Sequence, residues 1–236
     1  MLTIENVHKT FFAGTANEKV ALRGVNLTLN DGDFVTVIGS NGAGKSTLLN
    51  SIAGVFPVDE GHILIDEVDV TKMPEHQRAT FIGRVFQHPM KGTAGGMMIL
   101  ENLAMAKRRG LCPGLSWSEK KAETEEFREL VAQLGLGLEN RLTAHVGLLS
   151  GGQRQAITLL MATLVRPKLL LLDEHTAALT HNMRDALRFG NRLIMMHDGR
   201  PIVDVRGEEK ARLTPADLLR YFEEAGDGVS DKLMLG

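Results

Sequence analysis

Gly39-Ser40-Asn41-Gly42-Ala43-Gly44-Lys45-Ser46 decides the reading of this chain, because it matches the phosphate-loop pattern G-x-x-x-x-G-K-[ST] at every fixed position. A triphosphate needs many donors at close range with no side chain blocking its approach. Gly39, Gly42 and Gly44 let backbone N–H groups curl around the phosphates, and a following helix aims its positive end at them. Lys45 adds a mobile point charge, and the Ser46 hydroxyl is of the type that ligates Mg2+. Ser40, Asn41, Ala43 and Thr47 complete the stretch expected to hold the nucleotide. A glycine-rich turn that binds nothing has a similar composition, so the flanks matter. Phe34 to Ile38 is an apolar run after the tight-turn signal Asn30-Asp31-Gly32, and Ser46 to Ala53 reads as a helix stopped by Gly54. Strand before and helix after is the context the motif requires.

Further out, Leu2 to Val7 and Val25 to Leu29 alternate apolar and polar residues as half-buried strands do. His62 to Ile65 and Ile82 to Phe86 read as further strands. Ser118 is a candidate cap for a helix running to about Leu134, with Phe127, Leu130, Val131 and Leu134 on one face and Gly135 as its stop. Leu169 to Leu172 is wholly apolar, the composition of a strand buried on both faces. Thr214-Pro215-Ala216-Asp217 combines an N-cap, a first-turn proline and an N3 acid. Strands interleaved with helices indicate an α/β core, with a helical lobe inserted from about 88 to 166.

Bulk properties narrow the class. The 236 residues suit one domain, or one domain with a lobe, and 43% hydrophobic with 24% charged residues is ordinary for a soluble chain. A net charge of −2 gives no sign of a nucleic-acid surface. The single cysteine, Cys112, cannot form an internal disulfide and fits a reducing compartment. No apolar run approaches the length of a membrane helix.

A second string, Leu149-Ser150-Gly151-Gly152-Gln153, parses as a capping box with Ser150 at N-cap and Gln153 at N3. Two glycines in a first turn are costly, and their use is to let an anion approach the N–H groups. The two strings together resemble the ATP-binding subunit of an ABC (ATP-binding cassette) transporter, whose signature is this second string. The likeness runs from residue 2 to about residue 206. It implies an α/β fold: a P-loop NTPase (RecA-like) core with an antiparallel β subdomain and an inserted helical subdomain. The whole of 1–236 is then one ATP-binding domain, with its core in 1–87 and 167–236 and its signature subdomain in 88–166.

The resemblance also assigns roles. Asp173, at the end of the apolar strand, holds Mg2+ through water beside Ser46, and Glu174 orients or deprotonates the attacking water; both acids also read as a solvated strand end. Gln87 contacts metal and water. Phe11, rather than Phe12, stacks on adenine, although a core phenylalanine would look the same. Ser150, Gly151, Gly152 and Gln153 contact the γ-phosphate held by a second copy, so ATP joins a homodimer. Gly92 to Leu103 receives a helix of the membrane subunit, although Met97 and Met98 read equally well as core. Implied cofactors are ATP and Mg2+. Implied partners are transmembrane permease subunits and, indirectly, a solute-binding protein, with no nucleic acid. The implied location is peripheral, on the cytoplasmic face of the cell membrane, and the implied cargo of an importer is an amino acid or similar organic solute. A soluble ABC ATPase of translation or DNA repair is the other class, but this chain has neither paired cassettes nor a long coiled-coil insertion.

One stretch departs from the family. After Leu179 the pattern expects an aspartate, a helix, a strand and then a Thr-His pair, yet Thr180-His181 follows at once. On the order of 25–30 residues are absent. The missing strand belongs near the sheet centre and delivers the switch histidine, His181, to the γ-phosphate. Six residues between Glu174 and His181 are too few for a helical crossover between parallel strands. The expectation is nucleotide binding with impaired hydrolysis, or full activity if the segment is present in the native chain.

Overall fold

The computed structural model describes residues 1–86, 90–111, 121–172 and 183–225. Alternation at the start gives β1 (Leu2–Phe11), with Leu2, Ile4 and Val7 buried, and β2 (Lys19–Leu29), with Ala21, Leu22, Val25 and Leu27 buried. The turn at Asn30 to Asp33 forms as read, closed by the Asp33 N–H on the Asn30 carbonyl at 3.1 Å. It does not make a hairpin: it hands the chain to β3 (Val35–Gly39), which belongs to another sheet. Helix α1 (Lys45–Ala53) ends at Gly54, whose φ of 84° is the left-handed stop expected of glycine. There follow β4 (Glu60–Ile65), β5 (Val68–Asp69), α2 (Glu75–Arg78), β6 (Ile82–Val85), α3 (Ile99–Lys107) and α4 (Lys121–Ala132). The chain continues through α5 (Gly151–Leu164), β7 (Leu169–Leu172), α6 (Met183–Arg188), β8 (Arg192–His197), β9 (Arg200–Arg206), α7 (Gly207–Arg212) and α8 (Pro215–Glu224).

Two units result. The first comprises Met1–Glu75 with Glu174–Gly236. Its described part holds an antiparallel sheet in the order β2-β1-β4-β5 and a second sheet in the order β3-β8-β9, with β3 parallel to β8. Ile38, Leu193, Met195 and Val205 from the second sheet bury against Ala186, Leu218 and Phe222. Arg192 is buried in β8 and fully engaged: its guanidinium donates to both Asp204 oxygens, to Asp33 and to the Thr28 carbonyl. The Asp204 hydrogen bonds hold its pKa above the ordinary value despite burial. At α8 the reading of Thr214 holds: its Oγ accepts from the Asp217 N–H at 3.3 Å, and Asp217 accepts from the Thr214 N–H at 2.9 Å.

The second unit is His76–Asp173. Strands β6 and β7, which the sequence reading placed with the core, pair here in parallel with each other. The helices bury Ile99, Leu103, Phe127, Val131, Leu138, Val146 and Ile157 together. Leu130 and Leu134 pack beside that cluster, as the helical face predicted, while the proposed cap Ser118 lies outside the described residues. One expectation fails. Leu169–Leu172 is not buried on both faces: Leu170 is 37% and Leu172 41% exposed. Among the described residues β7 pairs with β6 alone, so its other edge lacks the neighbour its composition is suited to. The same holds for β3, which pairs with β8 alone and leaves Val35, Thr36 and Val37 half-buried.

Candidate nucleotide site

The phosphate loop leaves the end of β3 and enters α1 at Lys45. Gly44 is the N-cap, with φ 98° and no side chain to cap with. A Cβ there would lie 2.6 Å from the Ala21 carbonyl oxygen, so two backbones meet where only glycine fits. Within the loop the Ala43 N–H donates to the Ser40 carbonyl at 3.2 Å. Lys45 folds back, its Nζ donating to the carbonyls of Gly39 at 2.6 Å and Ser40 at 2.8 Å. Its charge is thereby fixed over the loop, beside a helix start whose first-turn N–H groups have no intrahelical acceptor.

A pocket of about 260 Å³ opens there, lined by Phe11, Lys19, Ala21 and the run from Asn41 to Thr47. No carboxylate is among those described lining residues, two of which are lysines. The arrangement suits a polyanion: cationic side chains, an uncapped helix start and glycines whose Cβ positions are needed for approach. Ser46 is exposed in the pocket, available to a divalent ion. Gly39 and Ser40 serve by contributing carbonyls to Lys45 rather than by lining the pocket.

Phe11 reaches this pocket, whereas Phe12 is 69% exposed and does not line it. The Phe11 ring meets Phe56 edge-on, with centroids 5.2 Å apart and planes at 83°. Lys9 Nζ lies 5.6 Å from the Phe11 centroid and pairs with Asp59 at 2.7 Å. Asp59 also accepts the Thr10 N–H at 2.6 Å. Burial pushes the Asp59 carboxyl up, but the Lys9 and Thr10 hydrogen bonds and the Lys9 charge outweigh it, and the pKa falls below the usual value.

Several contributors were not visible in the sequence. Lys19 faces Phe11 directly across the β1–β2 ladder, and Ala21 follows on the same side of the strand. The turn between β8 and β9 supplies Gly199, whose N–H donates to the Ala43 carbonyl at 3.1 Å and whose carbonyl accepts from the Arg23 N–H at 3.0 Å. Gly199 thus ties the phosphate loop to β2. Only the strand register and the packing of three backbones reveal these residues.

The signature forms in the second unit as the capping box predicts. Ser150 Oγ accepts from the Gln153 N–H at 3.3 Å, and Gln153 Oε1 accepts from the Ser150 N–H at 3.1 Å. Gly151 and Gly152 are exposed, and a Cβ on either would meet nothing within 4 Å. Packing among the described residues therefore gives no reason for glycine there. Arg154, buried one position on, donates to the carbonyls of Val146, Gly147 and Leu149 and to the Met90 sulfur, which fixes the chain entering the signature.

The segment from Gly92 onward is tied to that same stretch. Gly147 N–H donates to the Gly95 carbonyl at 2.8 Å and Val146 N–H to the Met97 carbonyl at 3.0 Å. Buried Asn102 accepts from the Ala94 N–H and donates to the Met98 carbonyl. Met97 and Met98 are half-buried, between the two readings of them. Gln87, Asp173, Glu174 and His181 lie outside the described residues.

A strand, a lysine-bearing phosphate loop and a helix, together with a glycine-rich capped helix start, define a nucleotide-binding cassette. The model of the ABC transporter family matches residues 22–177, and the chain belongs to that family. It is an ATP-binding subunit of the ATPase class that powers ABC transporters. It is 38% identical to a tyrosine transport ATP-binding protein of Clostridioides difficile, over 95% of this chain and 100% of that one. It is 38% identical to a sulfate/thiosulfate import ATP-binding protein of Methylococcus capsulatus, over 86% of this chain and 54% of the relative. A spermidine/putrescine import ATP-binding protein of Aggregatibacter actinomycetemcomitans is 30% identical over 97% of this chain and 58% of its own length. The chain thus spans little more than half of the last two. The alignment with the first runs over 251 residues while 95% of the 236 here take part, so about 27 of its positions have no residue from this chain.

Among solved structures, a dimeric bacterial ABC transporter cassette superposes with a TM-score of 0.70 at 27% identity, covering 91% of this chain and 100% of that one. An ABC cassette in its ADP conformation gives 0.67 at 26% identity, covering 96% and 99%. Among the described residues no helix is long and apolar enough to cross a membrane.

Proposed function

We propose that this chain drives uptake of an amino acid or similar organic solute, working as a pair of copies beneath two permease subunits on the cytoplasmic face of the membrane. The phosphate-loop pocket carries the reading: it joins Phe11, Lys45 and Ser46 in one unit, with no acid among its described lining residues. Adenine stacks on Phe11, the phosphates lie along Asn41 to Thr47, and Mg2+ sits on Ser46. The exposed pair Gly151 and Gly152 supports a phosphate arriving from a second copy, since nothing among the described residues needs them to be glycine. The 38% identity to a tyrosine transport ATP-binding protein along its whole length favours an amino acid, delivered by a solute-binding protein. Gln87 and Asp173 complete the metal site in this reading, and Glu174 and His181 act on the attacking water.

The test is reconstitution of the chain with its permease in vesicles. ATP-dependent uptake of an aromatic amino acid, abolished by Lys45→Ala, supports the proposal. Uptake of sulfate or a polyamine instead would reassign the cargo.

A second reading has its own support, which is that β3 and β7 each keep one strand partner among the described residues and the alignment with the C. difficile relative has about 27 positions without a residue from this chain. It holds that this chain binds ATP but turns it over poorly. Steady-state phosphate release decides between them, with nucleotide binding measured on the same sample.

A further inference from the structure

We infer that Lys19 is a second cation of the nucleotide site, holding the polyphosphate between the Phe11 platform and the phosphate loop. The inference rests on the reading of the pocket as an ATP site.

Position is the first argument. Lys19 is the direct cross-strand partner of Phe11 at the open end of the β1–β2 ladder, so the two side chains start from adjacent points. Phe11 is turned to the pocket and so is Lys19. A nucleotide whose base lies on Phe11 and whose terminal phosphates lie in the loop must pass the strand end that carries Lys19. Reach is the second argument. The Lys19 Nζ lies 3.4 Å from where a Cβ on Gly42 would stand, so the ammonium already hangs over the phosphate loop. A larger residue at position 42 would meet it.

Charge is the third argument. Among the described residues no carboxylate pairs with Lys19. The neighbouring acid Glu18 is spent on the Gly14 N–H at 2.7 Å, and Arg23, two steps beyond Ala21 on the same strand, has its own partner in Asp198 at 3.2 Å. Lys45 differs, because its Nζ is held by two loop carbonyls. The pocket therefore contains one cation anchored in the loop and one on a flexible stem at its rim, with no acid among its described lining residues. A compact ammonium on four methylenes follows a phosphate as it settles, which a fixed backbone donor cannot do.

Nucleotide affinity of the purified full chain tests this, using titration calorimetry with ATP, ADP and adenosine. Lys19→Met keeps the stem and removes the charge. ATP and ADP should bind about tenfold more weakly to it, the size of one lost charge-assisted contact, while adenosine binding is unchanged. Lys19→Arg should restore most of the loss. The slope of log affinity against log salt should also flatten in Lys19→Met, as one charge leaves the contact. If ATP affinity is unchanged in Lys19→Met while the wild-type chain binds ATP, Lys19 has no such role and the pocket reading stands. Equal loss for adenosine would make Lys19 a support for Phe11 by its stem alone, which also overturns the inference. A wild-type chain that binds none of the three overturns the pocket reading itself.

Discussion

Gly44 and Gly151 are both glycines at a helix start, yet the structure gives them opposite reasons. At Gly44 the backbone has φ 98° and a Cβ would stand 2.6 Å from the Ala21 carbonyl oxygen, so the chain itself demands glycine. Gly44→Ala should lower stability by about 2–3 kcal/mol, from left-handed strain and a backbone clash together, read as a fall in the denaturant midpoint. At Gly151 a Cβ meets nothing within 4 Å, and alanine is the better helix former by about 1 kcal/mol. Gly151→Ala should therefore raise the melting temperature of the isolated chain while lowering ATP-induced dimerisation, measured by light scattering. A melting temperature that falls in Gly151→Ala would mean the glycine serves this chain's own fold and not a partner. The phosphate loop and the signature were legible because each keeps its chemistry within a few consecutive residues. Lys19 and Gly199 were not: their roles depend on a strand register and on close backbone approaches between segments far apart in the chain.

At the scale of elements, the β1–β2 ladder holds Phe11 in place through Lys9 and Asp59. Lys9 is largely buried along its stem and its ammonium pairs with Asp59, which also accepts the Thr10 N–H. The Asp59 pKa is lower in the folded chain than its ordinary value of 3.8. The sign follows: the stabilisation is fully present above about pH 4–5 and is lost as pH falls through the lowered folded value. Asp59→Asn should cost about 1 kcal/mol at pH 7, a modest figure because Asp59 is partly exposed, and the gap to wild type should close towards pH 3. Urea unfolding at the two pH values checks it, and a gap that does not shrink at all between pH 7 and pH 3 would assign the effect to packing instead of charge. Elements set by local signals came through from sequence, as with the Thr214 cap of α8 and the Gly54 stop of α1. The burial of Leu169–Leu172 did not. Four leucines describe what a strand would favour beside it, but exposure is decided by which strands actually pair with it.

For the molecule as a whole, two parallel strands, one in each unit, are left with a single partner among the described residues. Both β3 and β7 are parallel strands, a type that natural folds cover on both sides, and each has one partner among the described residues. An open edge with half-exposed apolar residues weakens the strand and invites association with other chains. The alignment with the C. difficile relative holds about 27 positions with no residue from this chain, a number of the same size as the segment that the family pattern expects after Leu179. Inserting that relative's segment between Leu179 and Thr180 should restore a strand and its ladder bonds. With net gains of about 1 kcal/mol per bond, several bonds amount to on the order of 5 kcal/mol, or about 10–20 °C in melting temperature. Amide exchange should slow at Val35–Gly39 or Leu169–Leu172, whichever strand gains a partner, and under the proposed role of His181 steady-state ATP turnover should rise, because His181 then follows the inserted segment and not a six-residue tether from Glu174. The two readings of function separate here. A rise in turnover with unchanged ATP affinity means the present chain binds without efficient hydrolysis. Equal turnover before and after insertion means that the chain delivers its catalytic groups without the strand, and that the open edges cost stability but not activity.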